Sequence, residues 1–205
     1  MTKHNISHAL KRQLGYTIDQ TILIVSVIAI LVTMIIGSVG WDLISRAGGT
    51  KLQSHLTQMK QAAGSFFGQY GLWPTDVTNN DATQAMLALV DPDSATFDSN
   101  FGSNDANTDK FRNYLSSYSI ESGNVKHPFG AGGNVTLTTD NPDGDPDGQQ
   151  YLVFELEDLP SREYENADEG LDGKIDAGSG LVQIDSNSDL SNNTVTLRYF
   201  ANVTR

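Results

Sequence analysis

From Gln20 to Trp41 the chain reads QTILIVSVIAILVTMIIGSVGW, a run with no charge between Asp19 and Asp42. As a helix it spans about 33 Å, enough to cross a bilayer core of about 30 Å. Apolar side chains fall on every side, unlike a surface helix of a globular domain. After Trp41 the pattern changes but stays helical. Leu43, Ala47, Leu52, Leu56, Met59 and Ala63 recur at intervals near three and four, and Phe66, Phe67 and Tyr70 extend the same side. Gly48-Gly49 and Gly64 weaken the helix locally, and Gly71 and Pro74 mark its end. The simplest reading is one helix of roughly 50 residues starting near Thr17. Only its second half has a polar face. The first half must lie in lipid or against other apolar helices.

The rest of the chain, from about Gly71, changes period. Asp81–Val90 reads as a short helix capped by Asp81 or Thr83, and Asp109–Tyr118 as a second, with Phe111, Tyr114, Leu115 and Tyr118 at three and four. The stretch between them is polar and turn-rich. Four strands follow: Asn134–Thr139, Gln150–Leu156, Gly180–Ile184 and Thr194–Phe200. In the last, Val195, Leu197 and Tyr199 alternate with Thr196, Arg198 and Phe200. The expected fold is α+β: a long N-terminal α-helix packed, through Leu52, Leu56, Met59 and Ala63, on a small antiparallel β-sheet head.

Charge separates the two ends. The chain holds 13 Lys and Arg against 25 Asp and Glu, a net of -12, and no cysteine. Residues 1–15 carry Lys3, Lys11 and Arg12 and no acid. So acidic a chain is poorly suited to phosphate-driven nucleic-acid binding. Without cysteine there is no disulfide, thiolate metal site or thiol nucleophile. Lys11-Arg12 ahead of the apolar run places the N-terminus on the cytoplasmic side and the remainder outside. A secretory signal is disfavoured, because its apolar segment is about 7–15 residues long. No H-E-x-x-H, G-x-S-x-G or phosphate loop occurs, so an enzyme is not expected. His127 reads as an ordinary loop residue. The N-x-S/T triplets at Asn134, Asn192 and Asn202 permit glycans but arise often by chance.

Two acidic stretches carry candidate metal chemistry. In DNPDGDPDG, Asp143, Asp145 and Asp147 precede Gly148 in the first half of a calcium-loop pattern. The closing Glu is missing, since position twelve is Phe154. In NADEGLDGKIDAGSG, Asp168, Asp172 and Asp176 fall four apart, with Ser179 as a further oxygen and Ile175 as an anchor into the core. Clustered acids repel unless a cation or water separates them, and Ca2+ takes six to eight oxygens. Each stretch reads either as a solvated acidic turn or as a calcium loop. One site shared by both is a third arrangement.

A single exposed apolar helix is insoluble alone. Off the membrane it must be buried by copies of itself, and non-closing contacts of that kind give filaments. At this point the residues resemble a family. KRQLG-YTIDQTILIVSVIAILV is similar to the N-terminus of type IV pilins and type II secretion pseudopilins. Tyr70–Thr75 (YGLWPT) resembles the end of the family's first helix, and His127–Leu137 (HPFGAGGNVTL) the approach to its sheet.

The resemblance implies a basic leader, residues 1–15, cut after Gly15 by a prepilin peptidase, with Tyr16 as the methylated first mature residue. It implies a helix over 16–70, apolar over 20–41 and amphipathic over 42–70, then a loop and short-helix region over 71–133 and a sheet region over 134–205. The expected function is a structural subunit of an extracellular pilus-like filament, built from an inner-membrane precursor. Its partners would be its own copies, the peptidase, a membrane assembly platform and, before assembly, the bilayer. The alternative is a pseudopilin or minor subunit of a secretion or DNA-uptake machine; a membrane-anchored binding protein that never polymerises is the third reading. The Asp168–Ser179 stretch is similar to the acidic loop that holds calcium in some major pseudopilins.

There are departures. The family's Glu at mature position five, thought to pair with a neighbour's N-terminal amine, is Gln20 here, with Asp19 one residue earlier. Asp19 either takes over that pairing or caps the first turn. Gly37 stands where many pilins have Pro. Ile28 and Ile30 are the positions where a charge is expected to stop assembly.

Overall fold

The computed structural model describes residues 18–101, 111–142 and 148–204; within the first helix the side chains of residues 18–19 and 37–48 also lie outside the description. The chain divides into two compact units, Met1–Ile44 and Ser45–Arg205.

Helix α1, Ile18–Tyr70, runs through both. In the first unit its described side chains, Gln20–Ile36, are all exposed. In the second unit the helix is amphipathic in the expected register. Leu52, Leu56, Met59, Ala63 and Phe66 are fully buried and join one continuous core with the sheet. Helix α2 is a single turn, Pro74–Val77, and α3 covers Ala82–Val90. Asp81 caps α3, its Oδ1 accepting the N–H groups of Thr83 and Gln84 at 3.0 Å each.

Six antiparallel strands follow: β1 Ser119–Glu121, β2 Asn124–Lys126, β3 Asn134–Asp140, β4 Tyr151–Pro160, β5 Val182–Ile184 and β6 Thr194–Val203. Their spatial order is β1-β2-β3-β4-β6-β5. The four expected strands are β3, β4, β5 and β6; the β1–β2 hairpin is an addition. Register puts Leu137, Phe154, Tyr199 and Val182 in one row across the sheet, all buried. Arg198 lies on the other face, bonded to Glu155 at 3.0 Å and to Asp140, with its guanidinium over the Phe200 ring. The molecule is therefore α+β, with an N-terminal helix and an antiparallel sheet.

The turn between β2 and β3 explains the HPFGAGG sequence. Gly130 and Gly132 have positive φ, +55° and +81°. A Cβ at Gly133 would overlap the Glu157 carbonyl of β4, so only glycine lets the turn sit there. Opposite it, β4 bulges between Leu156 and Leu159 and Asp158 takes φ 53°.

Two expectations fail. Residues 111–118 form no helix. Asn113 Oδ1 accepts the Leu115 N–H, closing a local turn instead. The N–H groups of Tyr114 and Leu115 both donate to the Leu89 carbonyl at the end of α3. The aromatic side chains that suggested a helical stripe instead pack as rings: Phe111 stacks on Phe97 and Phe66, with centroids 4.6 and 5.5 Å away. Conversely, much of the acidic stretch from Asn166 is helical. Helix α4, Ser161–Asp172, follows β4 directly and ends at Gly173, φ 78°.

Candidate functional site

The first candidate is the apolar stretch of α1. Ile28 and Ile30 are 53% and 59% exposed, and large exposed side chains from Ile22 to Ile36 surround the helix. Two of its hydroxyls bond within the helix. Ser26 Oγ donates to the Ile22 carbonyl at 2.7 Å and Thr33 Oγ1 to the Ala29 carbonyl at 2.8 Å. Thr57 makes the same back-bond to the Gln53 carbonyl at 2.8 Å on the polar side of the second half of the helix, as any helical Ser or Thr can. Among the described residues no helix is long and apolar enough to cross a membrane. The described side chains stop at Ile36, and the apolar sequence continues to Trp41. Gln20 is exposed at the start of the stretch. Gly15 and Tyr16 lie outside the described residues, as does the Asp19 side chain.

The second candidate is the acidic group around α4. The helix buries Ser161, Tyr164, Ala167 and Asp168. It approaches α1 closely because two glycines allow it: a Cβ at Gly49 would overlap Asn166, and one at Gly170 would overlap Gln53. Asp168 is fully buried. Its Oδ2 accepts the Asp176 N–H at 2.7 Å and the Tyr164 hydroxyl at 3.2 Å, while its Oδ1 is buried with no hydrogen-bond partner. Burial pushes the Asp168 carboxyl up from the usual range, and the charge of Asp172 adds to this against the two donors.

Asp172, one turn on, accepts the Val182 N–H at 2.9 Å and so ties α4 to β5. Gly180, φ +92°, is where the connecting loop presses against that carboxylate; a Cβ there would overlap it. Asp176 is turned elsewhere. It bonds Lys174 Nζ at 2.7 Å and Ser179 Oγ at 2.6 Å, and Lys174 first and Ser179 next hold its carboxyl well below the usual range.

The three aspartates thus occupy neighbouring positions with different tasks. Among the described residues no group of three or more His, Asp or Glu side chains is arranged to hold a metal ion. Within this group Asp168 Oδ1 is the carboxylate oxygen buried without a donor. Asp143, Asp145 and Asp147, and with them the arrangement shared by both stretches, lie outside the described residues. Ile175, expected as an anchor, is 51% exposed and does not enter the core. The Asp176-X-X-Ser179 spacing carried the loop's internal bonding; Lys174, two residues before Asp176, was the cation that sequence reasoning passed over.

A third group forms where α1 meets the β2–β3 turn. His127 is buried, not an ordinary loop side chain. Its Nδ1 accepts the Phe129 N–H at 3.2 Å, and its Nε2 lies 2.6 Å from the Glu157 carbonyl. The neutral Nε2–H tautomer satisfies both contacts. His55 of α1 packs edge-on to Phe129 and Tyr118, with Nδ1 3.0 Å from the Tyr118 hydroxyl. Burial pulls both imidazoles below their ordinary pKa; Lys51 adds to the effect at His55, as does His127. The buried His127 ring, bonded at both nitrogens, suits a structural tie between the β2–β3 turn and β4.

Compared with protein-family models, with curated proteins and with solved structures, the chain matches none.

Proposed function

We propose that the protein is a structural subunit of a type IV pilus-like extracellular filament, held by α1 in the inner membrane before assembly and packed against sister helices afterwards. The observation that carries this reading is the helix surface from Ile22 to Ile36, apolar and exposed on all sides, with its two hydroxyls bonded inwardly. Water is a poor solvent for such a surface at about 25 cal/mol per Å2, whereas lipid or a bundle of identical helices accommodates it. The α+β organisation, with the second half of α1 inside the core, agrees with the pilin-like expectation. So does the turn at His127–Gly133, whose glycines have a steric reason to be there.

In this reading a prepilin peptidase cuts after Gly15, Tyr16 becomes the methylated N-terminus, and Asp19 or Gln20 meets that amine on a neighbour. A membrane assembly platform then extracts the subunit. The role is mechanical, not enzymatic. The acidic group at α4 favours the pseudopilin as the second reading, with Ca2+ held by Asp168 and Asp172 as the associated proposal. Imaging of fibres sheared from the cell surface, with the N-terminal residue mapped by mass, tests the reading. Fibres of this chain beginning at Tyr16 are the expected result. An uncut chain that never polymerises would refute it.

A further inference from the structure

The described residues include three N-x-S/T triplets, at Asn134, Asn192 and Asn202; a fourth, at Asn5, lies outside them. By sequence alone the three are equivalent acceptors for a sugar. The structure separates them. Asn134 lies in β3, in register with Lys126 of β2, its Nδ2 donating to Glu157 Oε2 at 2.6 Å and its Oδ1 buried. Asn202 lies in β6, in register with Leu152 of β4, again with its Oδ1 buried. For either amide to enter an enzyme, a strand would have to leave its neighbour and give up ladder hydrogen bonds.

Asn192 lies in the turn between β5 and β6, and the whole triplet, Asn192, Asn193 and Thr194, is exposed. Among the described residues no hydrogen bond engages the side chain of Asn192 or of Thr194. The backbone, by contrast, is pinned. The Asn192 N–H donates to the Asp189 carbonyl at 2.9 Å, and Asp189 Oδ1 accepts the Ser191 N–H at 2.8 Å. Ser161, at the start of α4, donates from its Oγ to the Asn192 carbonyl at 2.5 Å and from its N–H to the Asn193 carbonyl at 3.1 Å. Thr194 opens β6 opposite Pro160, which has no N–H to give the ladder. The turn thus holds an amide, and a hydroxyl two residues on, in water on a fixed backbone. Both side chains can be grasped from outside without unpairing a strand.

We propose that Asn192 is a glycosylation site, taking a sugar on its side-chain amide. In the transfer, Asn192 Nδ2 forms a bond to the anomeric carbon of a sugar pyrophosphate ester. The bond from that carbon to the pyrophosphate oxygen breaks, the pyrophosphate keeps the electron pair, and Nδ2 gives up one proton. No oxidant or reductant is needed. The Thr194 hydroxyl is the group by which a transferase recognises the triplet. This goes beyond the filament reading and holds whether or not the chain polymerises.

The three triplets fall in separate tryptic peptides: residues 175–198 for Asn192, 127–162 for Asn134 and 199–205 for Asn202. Peptide mass spectrometry of the full chain, taken from the cells that naturally make it, is expected to find sugar on the first peptide and none on the other two. Asn192→Gln and Thr194→Ala should each remove the added mass, and Thr194→Ser should keep it. Because these side chains make no contact in the fold, all three variants should melt with the wild type. Loss of the mass when synthesis of lipid-linked sugars is blocked marks the donor as a lipid pyrophosphate, and its retention marks a nucleotide one; either supports the site. An unmodified 175–198 peptide in the wild type, sugar on Asn134 or Asn202 in its place, or added mass that survives Asn192→Gln or Thr194→Ala would overturn it.

Discussion

Two stretches of one helix, Gln20–Ile36 and Thr50–Tyr70, are built on opposite plans. In the first, apolar side chains point in every direction and stay exposed. In the second they are confined to one side, and that side is buried with the sheet. Both are helical and rich in apolar residues. What differs is where the burial partner comes from. For Leu56 it is supplied by the same chain; Ile28 has none among the described residues, and in the filament reading proposed above lipid or another copy supplies it.

That contrast sets an order of tests. The largest effect is expected from Ile30→Lys or Ile28→Asp, which place a charge where the proposed surrounding is apolar. Either variant should give no filaments while the melting of the Ser45–Arg205 unit, followed by near-UV circular dichroism, stays unchanged. Leu56→Ala should do the reverse. It opens a cavity in the buried core and is expected to cost about 3 kcal/mol of that unit's stability, whereas Ile28→Ala should leave the same melt unmoved.

A smaller effect is expected from pH. The folded pKa of His127 lies below its ordinary value of 6.5, so the unfolded chain takes up the proton first as pH falls. Stability should therefore be flat above about pH 6.5 and decline below it, with His55 adding in the same direction. Lys51, Lys126 and Asp158 also act on these rings; Asp158 opposes the decline, and the two lysines reinforce it. His127→Gln should reduce the slope in thermal melts taken across that range.

The smallest effect concerns Asp168. Its raised pKa means that the folded unit resists ionising this carboxyl, so its ionisation costs stability as pH rises above the unfolded value of 3.8. In chelator, Asp168→Asn should melt slightly above wild type. If Ca2+ is held there, calcium should raise the wild-type melt and leave the variant unmoved; equal melts of wild type with and without chelator would remove the metal proposal.

Legibility in the sequence followed the source of each constraint. The strands β3 and β6 could be read because alternation along a strand is a local record of which side faces the core, and β4 because its apolar run, Leu152, Val153 and Phe154, is buried on both sides. Helix α4 could not. Its inward side consists of Ser161, Tyr164, Ala167 and Asp168, too small and polar to register as an apolar stripe. The helix is held instead by its approach to Gly49 and Gln53, more than a hundred residues away. The segment 111–118 shows the converse, a helical spacing overruled by bonds to Leu89 and by ring stacking on Phe97. The β1–β2 hairpin was signalled only by Ser122-Gly123, which take φ 52° and 79° in the turn, with strands too short to show a period. At the acidic group, the aspartates were evident as residues, but their division of labour was not.

The sequence by itself determined the apolar run, the amphipathic continuation, the apolar pattern of the long strands and the strong separation of charge. Each is a property of neighbouring residues or of composition. Tertiary structure alone decided that His127 is buried and neutral, that Asp168 keeps an oxygen without a donor, and that Ile175 faces solvent. Those outcomes depend on which distant backbone arrives beside a side chain and removes its water, and no local pattern records that arrival.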